Sequence, residues 1–430
     1  MAIVQNYAPS NYARVYDTNI CSYIFTGTSY LQPNYSIYVE YYCNGIKIGQ
    51  QKYYPTSTGI VYINPTSIYK NYLSPSNQLY DFSLSSTGVT ICPNSLKSFF
   101  MVLYESYGTP PTNHNAFTTS SVYFYNGCQQ FIDYQSTAGG GNLQWVMWGG
   151  GTGGFLTDVD QIYMDETDYM NLYFICATPI NKIVYTFDQG GGGGGMNQNR
   201  AQNSRELTNQ SLVKGDPNAV VKPPPTPTGN TLVETESVNI SSYNMFYIPI
   251  SMTRLRGIWS LPDNWHWFTV DLYYNTTKIN QRSFTVYYTK RDCRYPNYQV
   301  SWINKHGGYD SMTWDKGNTV KNKIKRDTYK KSLFPNYNFQ QAGELVHNIE
   351  VEEDITLTTS LLDDQTQSQL IQGMFQSPII FVLQNINGVN YSSPYICVDT
   401  DVEYLQMLND QSIYYICTLR PSNAKILQTF

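Results

Sequence analysis

Short runs of alternating apolar and polar residues, closed by Asn-Gly or Gly-Gly pairs, recur along this chain and restrict its fold more than any other feature. Alternation with a period of two puts one set of side chains on one face of a strand, and Asn-Gly supplies the positive φ of a tight hairpin turn. The fullest case is Tyr298-Gln-Val-Ser-Trp-Ile-Asn304, the turn Lys305-His-Gly-Gly308 and Tyr309-Asp-Ser-Met-Thr-Trp314. It reads as one hairpin with Tyr298, Val300 and Trp302 on one face, and the rest of the chain is expected to be arranged around it. Residues 36–43 should pair across Asn44-Gly45 with residues 46–53 in the same way. Further strands are expected at 59–64, 98–104, 122–125, 131–134, 143–148, 173–176, 243–250, 267–274, 283–288, 355–360, 379–383, 395–398 and 413–417. The one expected helix spans 363–374, with Leu370, Ile371 and Met374 on one face, Asp363 and Asp364 at its N-terminal dipole, and Ser377-Pro378 ending it.

At 430 residues the chain is long enough for several cores. The pattern predicts an all-β fold of multiple β-sandwich-like modules with a small C-terminal α+β module. The expected divisions are an N-terminal β module at 1–110, a second β module with Gly-rich loops at 111–188, and a Gly/Pro-rich linker at 189–236. A β-sandwich with the central hairpin follows at 237–327, and a C-terminal β module with one helix at 328–430. The linker is read from Gly190 to Gly195, an Asn/Gln/Ser-rich tract and Lys222-Pro-Pro-Pro-Thr-Pro-Thr-Gly229, since glycine is flexible and repeated proline favours extended polyproline II.

Composition narrows the function. Forty tyrosines and 15 % aromatic residues stand against only 14 % charged residues. Tyrosine presents a rigid apolar ring and a hydroxyl together, which suits half-buried strands and wet subunit interfaces. A net charge of −5 gives no general affinity for nucleic acid or anionic membrane. The eight cysteines occur singly, with no Cys-x-x-Cys, so metal knuckles and redox dithiols are not expected and the thiols read as small buried hydrophobes. The N-terminus carries no charged n-region or apolar core, and no window reaches the roughly 20 apolar residues of a membrane span.

Catalytic motifs are sparse. Gly149-Gly-Gly-Thr-Gly-Gly154 has the letters of a dinucleotide fingerprint but no helical stripe after it. His114, His266, His306 and His347 are isolated, and the acidic cluster Asp158, Asp160, Asp165, Glu166 and Asp168 lacks the spacing of a calcium loop. No catalytic, cofactor or metal residue is therefore assigned. Two features suit binding. Trp145 and Trp148 sit between glycine clusters, as either core or interface residues. Lys321, Lys323 and Lys325 alternate, so a strand would place three ammonium groups on one face, either protecting a sheet edge or meeting an acidic protein partner; contact with DNA is the less favoured reading.

Three stretches together resemble structural proteins of crAss-like and other Bacteroidetes-infecting tailed phages. They are Trp-Ile-Asn-Lys-His-Gly-Gly-Tyr-Asp at 302–310 with the Lys-rich strand after it, the order strand, Asn-Gly, strand, Pro-containing bend and Ile-Tyr-Lys-Asn-Tyr-Leu at 36–73, and the Asp-rich helix followed by Ser-Pro and an apolar strand at 363–383. The resemblance implies a virion structural protein of the tail, tail hub, a ring or a fibre, assembled in the host cytoplasm through contacts with other virion proteins and with copies of itself. It brings no catalytic residue. A capsid-decorating or spike protein, a host-recognition module binding a surface glycan or receptor, and a polysaccharide depolymerase remain alternatives.

Overall fold

The computed structural model describes residues 3–9, 12–16, 19–25, 31–74, 88–127, 155–157, 159, 161–176, 179–188, 231–240, 244–261, 267–280, 283–288, 297–331, 343–359, 365–386, 389–399, 404–406, 413–422 and 425–429. Among them the strands form sheets of three, six, six, three and nine strands. The fold is all-β, as the alternation predicts. The expected strands at 131–134 and 143–148 lie outside the described residues.

The first layered pair sets the three-stranded sheet of Ile3–Tyr7, Cys21–Phe25 and Ile60–Ile63 against a six-stranded sheet built on Ser36–Cys43 and Leu96–Tyr107. Ile37, Val39 and Tyr41 point inward and are fully buried, packing with Tyr23, Val61, Phe99 and Leu103, while Tyr38, Glu40 and Tyr42 turn outward. The predicted hairpin closes with Cys43 opposite Ile46, and Asn44 and Gly45 take φ of 47° and 82°.

The second pair shares its middle layer. Asn244–Ser251 lies between Tyr169–Cys176 and Thr90–Ile91 on one sheet, whose partner sheet contains Ile180–Asp188, Trp267–Tyr274 and Phe284–Tyr288. Leu172, Phe174 and Cys176 face that partner sheet's Ile183, Phe268 and Val286. The intervening Tyr173 and Ile175 face the other way, into a cluster with Tyr12, Tyr125, Leu156 and Tyr309. A strand buried on both faces loses its polar positions, which is why this run reads as continuously apolar.

The strands that flank residues 189–230 pair with each other: Ile180–Asp188 runs antiparallel to Thr231–Ile240, with Asp188 opposite Thr231. Residues 231–236, which composition places in the linker, belong to that second strand. A short helix, Met252–Ile258, was not anticipated; Ser251 caps it by accepting from the Arg254 amide at 3.1 Å, and seven residues are too few to show a helical stripe.

The third body is the nine-stranded sheet, covered by the helix Gln365–Phe375. Leu370, Ile371 and Met374 are buried against Trp302, Val382 and Tyr415, as their spacing predicts, each contributing about 2 kcal/mol of hydrophobic stabilisation. Asp363 and Asp364 lie outside the described residues.

The central hairpin forms as expected, with Tyr298 opposite Trp314 and Ile303 opposite Tyr309. The Asn304 Oδ1 accepts from the amides of His306 at 3.0 Å and Gly308 at 3.1 Å, and its Nδ2 donates to the Leu156 carbonyl at 2.7 Å. Both glycines are needed. Gly307 has φ 82°, and a Cβ on Gly308 would sit 2.7 Å from the Leu156 carbonyl oxygen. The hairpin tip also meets the N-terminal sheet, where Arg14 Nη2 lies 3.4 Å from His306 Nδ1 and Arg14 Nε donates to the Tyr125 hydroxyl at 3.2 Å.

Candidate functional site

Strand Lys316–Lys330 is the terminal strand of the nine-stranded sheet and pairs antiparallel with Glu344–Thr358 along its length. Near the sheet, Ile355 and Leu357 are buried and the second strand pairs with Ile413–Pro421. Farther out the pair is a ribbon that extends ~30 Å beyond Asp354 at the usual rise of a strand, and Lys425–Thr429 pairs antiparallel with residues 348–351 of the second strand as a third member.

Lys321, Lys323 and Lys325 share one face, as their alternation predicts. The register sets them opposite Asp354, Glu352 and Glu350. Lys323 Nζ lies 2.7 Å from Asp354, Lys325 Nζ lies 3.5 Å from Glu350, and Arg420 from the next strand reaches Asp354 at 2.7 Å and Glu352 at 3.3 Å. The face is a ladder of both signs. Phosphate binding needs cations without local acids, so this face fits protein contact and protection of the sheet edge better than DNA. Hydrogen bonding from the Arg420 guanidinium, opposed by burial and reinforced by Lys323, holds the Asp354 carboxyl at about 2.

The other face of the ribbon is mixed: Val320, Asn322, Ile324 and Arg326 stand opposite Ile355, Glu353, Val351 and Ile349, so its apolar side chains are interrupted by Asn322, Glu353 and Arg326. Val320 and Ile324 alternate with Asn322, and their partner strand adds Val346, Ile349 and Val351. Val320, Ile324 and Val346 are 48 %, 49 % and 38 % exposed. Reading the stretch for its lysines missed this face. The signal lay across the chain, in Ile349 and Val351 alternating with Glu350 and Glu352.

The remaining sequence candidates do not converge. Trp145, Trp148, His266, Asp158, Asp160 and the Gly149–154 run lie outside the described residues. His114 stacks on Tyr107 at 4.2 Å, His306 meets Arg14, and His347 Nδ1 lies 3.1 Å from the Asp327 carbonyl oxygen, each in a separate local contact. Asp165 and Asp168 accept backbone amides within their own turn at 2.6 and 2.7 Å, Asp168 also accepts from Thr313 at 2.8 Å, and Glu166 pairs with Arg256 at 2.9 Å. Their carboxylates thus stitch a turn to its neighbours. A shallow cleft lined by Ile162, Asp168, Gln299 and Thr313 has room for about one water molecule, far less than a small-molecule site.

One grouping has no motif in the sequence. Cys397, Asp399 and Cys417 lie together at the margin of the nine-stranded sheet, their donor atoms all within 4.8 Å of one another. The contact between the two sulfurs, with the burial of Cys417, raises the pKa of Cys417 and lowers that of Cys397. No helix among the described residues is long and apolar enough to cross a membrane.

No protein-family model matches the chain, and no curated protein matches it in sequence. Among solved structures, it is similar over 30 % of its length to a chain from the tail of an empty gene transfer agent particle with C6 symmetry, covering 94 % of that chain at 10 % identity and a TM-score of 0.22. A chain from the virion of a native gene transfer agent particle is similar over 29 % of this chain and 92 % of its own, at 10 % identity and a TM-score of 0.21. Overlap at these scores carries no argument about what this chain does.

Proposed function

We propose that the chain is a structural protein of a phage-like virion, a tail, tail-hub, ring or fibre component that works through repeated subunit contacts. The observation that carries this reading is the ribbon of 316–330 and 344–358, whose second face exposes Val320, Ile324 and Val346 to solvent while its lysine face is paired with acids. Exposed apolar side chains on a ribbon that projects from its sheet, two strands wide except where Lys425–Thr429 adds a third, suit a contact with a neighbouring surface. The tyrosine-rich composition and the resemblance of the 302–310, 36–73 and 363–383 stretches to phage structural proteins support the same reading.

In this reading the ribbon is an arm that lies on a neighbouring copy, burying Val320, Ile324, Ile349 and Val351. The test is the mass of the purified 49.2 kDa chain by light scattering across a concentration series, together with that of Ile324→Asp/Val351→Asp. Multimers that dissolve in the double variant, with its fold intact by circular dichroism, support the arm. A wild-type chain that stays monomeric at every concentration overturns self-assembly through it. Imaging of particles with a labelled chain separates a tail component from a capsid-decorating or receptor-binding one.

A further inference from the structure

Cys397 ends the strand Val389–Cys397, and Cys417 lies in the adjacent strand Ile413–Pro421. The pairing sets Cys397 opposite Leu419, and the Val398 amide continues the ladder by donating to the Thr418 carbonyl at 2.9 Å. Extending that register sets Asp399 opposite Cys417, so Cys397, Asp399 and Cys417 all project from one face of the sheet, the face that carries the buried Leu419 and Tyr415. The two sulfurs are 4.0 Å apart, and the Asp399 Oδ2 is fixed by accepting from the Thr418 amide at 2.5 Å.

We propose that Cys397, Asp399 and Cys417 form a binding site for a thiophilic divalent ion of the zinc type, with solvent in the fourth position. Two thiolates and one carboxylate are a donor set that zinc accepts. Metal–sulfur bonds near 2.3 Å with tetrahedral angles put two sulfurs ~3.8 Å apart, close to the separation found here. The carboxylate is already oriented by a backbone donor, as metal ligands commonly are. Cys417 is wholly buried, whereas Cys397 and Asp399 are half-buried, which leaves a path for the ion from solvent. Each thiol gives its proton to solvent as its metal–sulfur bond forms. The bound ion ties the end of one strand to the middle of the next, where only a few ladder bonds join them. A disulfide would require the sulfurs to close to about 2.05 Å, and two inert core thiols would have no use for a carboxylate fixed beside them.

The experiment titrates the full-length reduced, metal-free chain with Co²⁺, whose thiolate complexes absorb in the near ultraviolet and whose tetrahedral complexes absorb strongly in the visible. One equivalent of Co²⁺ is expected to give both bands, and Zn²⁺ to abolish them. Cys397→Ala, at a half-buried position, is expected to remove the bands. Asp399→Asn is expected to weaken binding at least ~10-fold, and Cys43→Ala, in the N-terminal sheet, to change nothing. Absence of the thiolate band, or its persistence in Cys397→Ala, overturns the site. So does a count of thiols in the unfolded, unreduced protein that falls short by two and is accounted for by Cys397 and Cys417, which would identify a disulfide instead.

Discussion

Replacing Asp354 by asparagine tests the root of the ribbon, where one carboxylate ties three strands together. Its oxygens accept from Arg420 Nε at 2.7 Å and Nη2 at 3.3 Å, and from Lys323 Nζ at 2.7 Å, and its side chain is 4 % exposed. These donors bring its pKa from 3.8 to about 2. A carboxylate whose pKa falls on folding stabilises the protein at pH values above its unfolded pKa, and that stabilisation disappears as pH drops through the folded value. At 1.36 kcal/mol per unit the shift corresponds to roughly 2 kcal/mol at neutral pH. Linkage leaves about half of that at pH 3 and little below pH 2. In Asp354→Asn, Arg420 keeps Glu352 at 3.3 Å and Lys323 is 47 % exposed, so neither cation is stranded. Urea unfolding of both proteins from pH 7 to pH 3 should show a difference of ~2 kcal/mol that shrinks by half. A difference that stays constant over that range would refute the electrostatic account and leave packing or hydrogen-bond geometry as the cause; no difference at pH 7 would refute the knot altogether.

Gly45 and Gly307 share φ of 82°, but a Cβ on Gly45 meets nothing within 4 Å whereas one on Gly307 would fall onto the Asn126 carbonyl. Gly45→Ala is expected to cost only the ~1–2 kcal/mol of left-handed strain and Gly307→Ala distinctly more, read as the shift in urea midpoint; equal costs would show that the hairpin tip is not wedged against the Asn126–Gly127 turn. Arg254 is 3 % exposed and donates to Glu236 at 2.7 Å and to the Pro249 carbonyl at 3.1 Å. Arg254→Met leaves Glu236 without its cation and should destabilise by about 3 kcal/mol, whereas a change under about 1 kcal/mol would place that carboxylate in solvent.

The sequence exposes what depends on neighbours along the chain and hides what depends on pairing across it. Residues 298–314 could be read as a hairpin because both strands, the turn and its glycines are contiguous. The face of the helix 365–375 was legible because Leu370, Ile371 and Met374 repeat at helical spacing. The same kind of reading saw Lys321, Lys323 and Lys325 as a basic stripe, because the acids opposite them lie 25 to 33 residues further on, and only the register reveals the ladder. Cys397 and Cys417 are separated by 20 residues with no motif between them, and their approach follows from one pairing, Cys397 with Leu419. The middle sheet was legible as strand but not as a shared wall, since an apolar run is the same whether one sheet or two cover it.

The pairing of Asp188 with Thr231 means that the stretch 189–230 leaves and re-enters the protein at adjacent points of one ladder. Its two ends are fixed a strand spacing apart whatever lies between them, and the entropy of closing such a loop rises only as the logarithm of its length. The ladder itself therefore sets no limit on how much sequence lies between residues 188 and 231. The chain has in this sense a built-in cloning site: a place whose two ends the ladder fixes and whose length it leaves open.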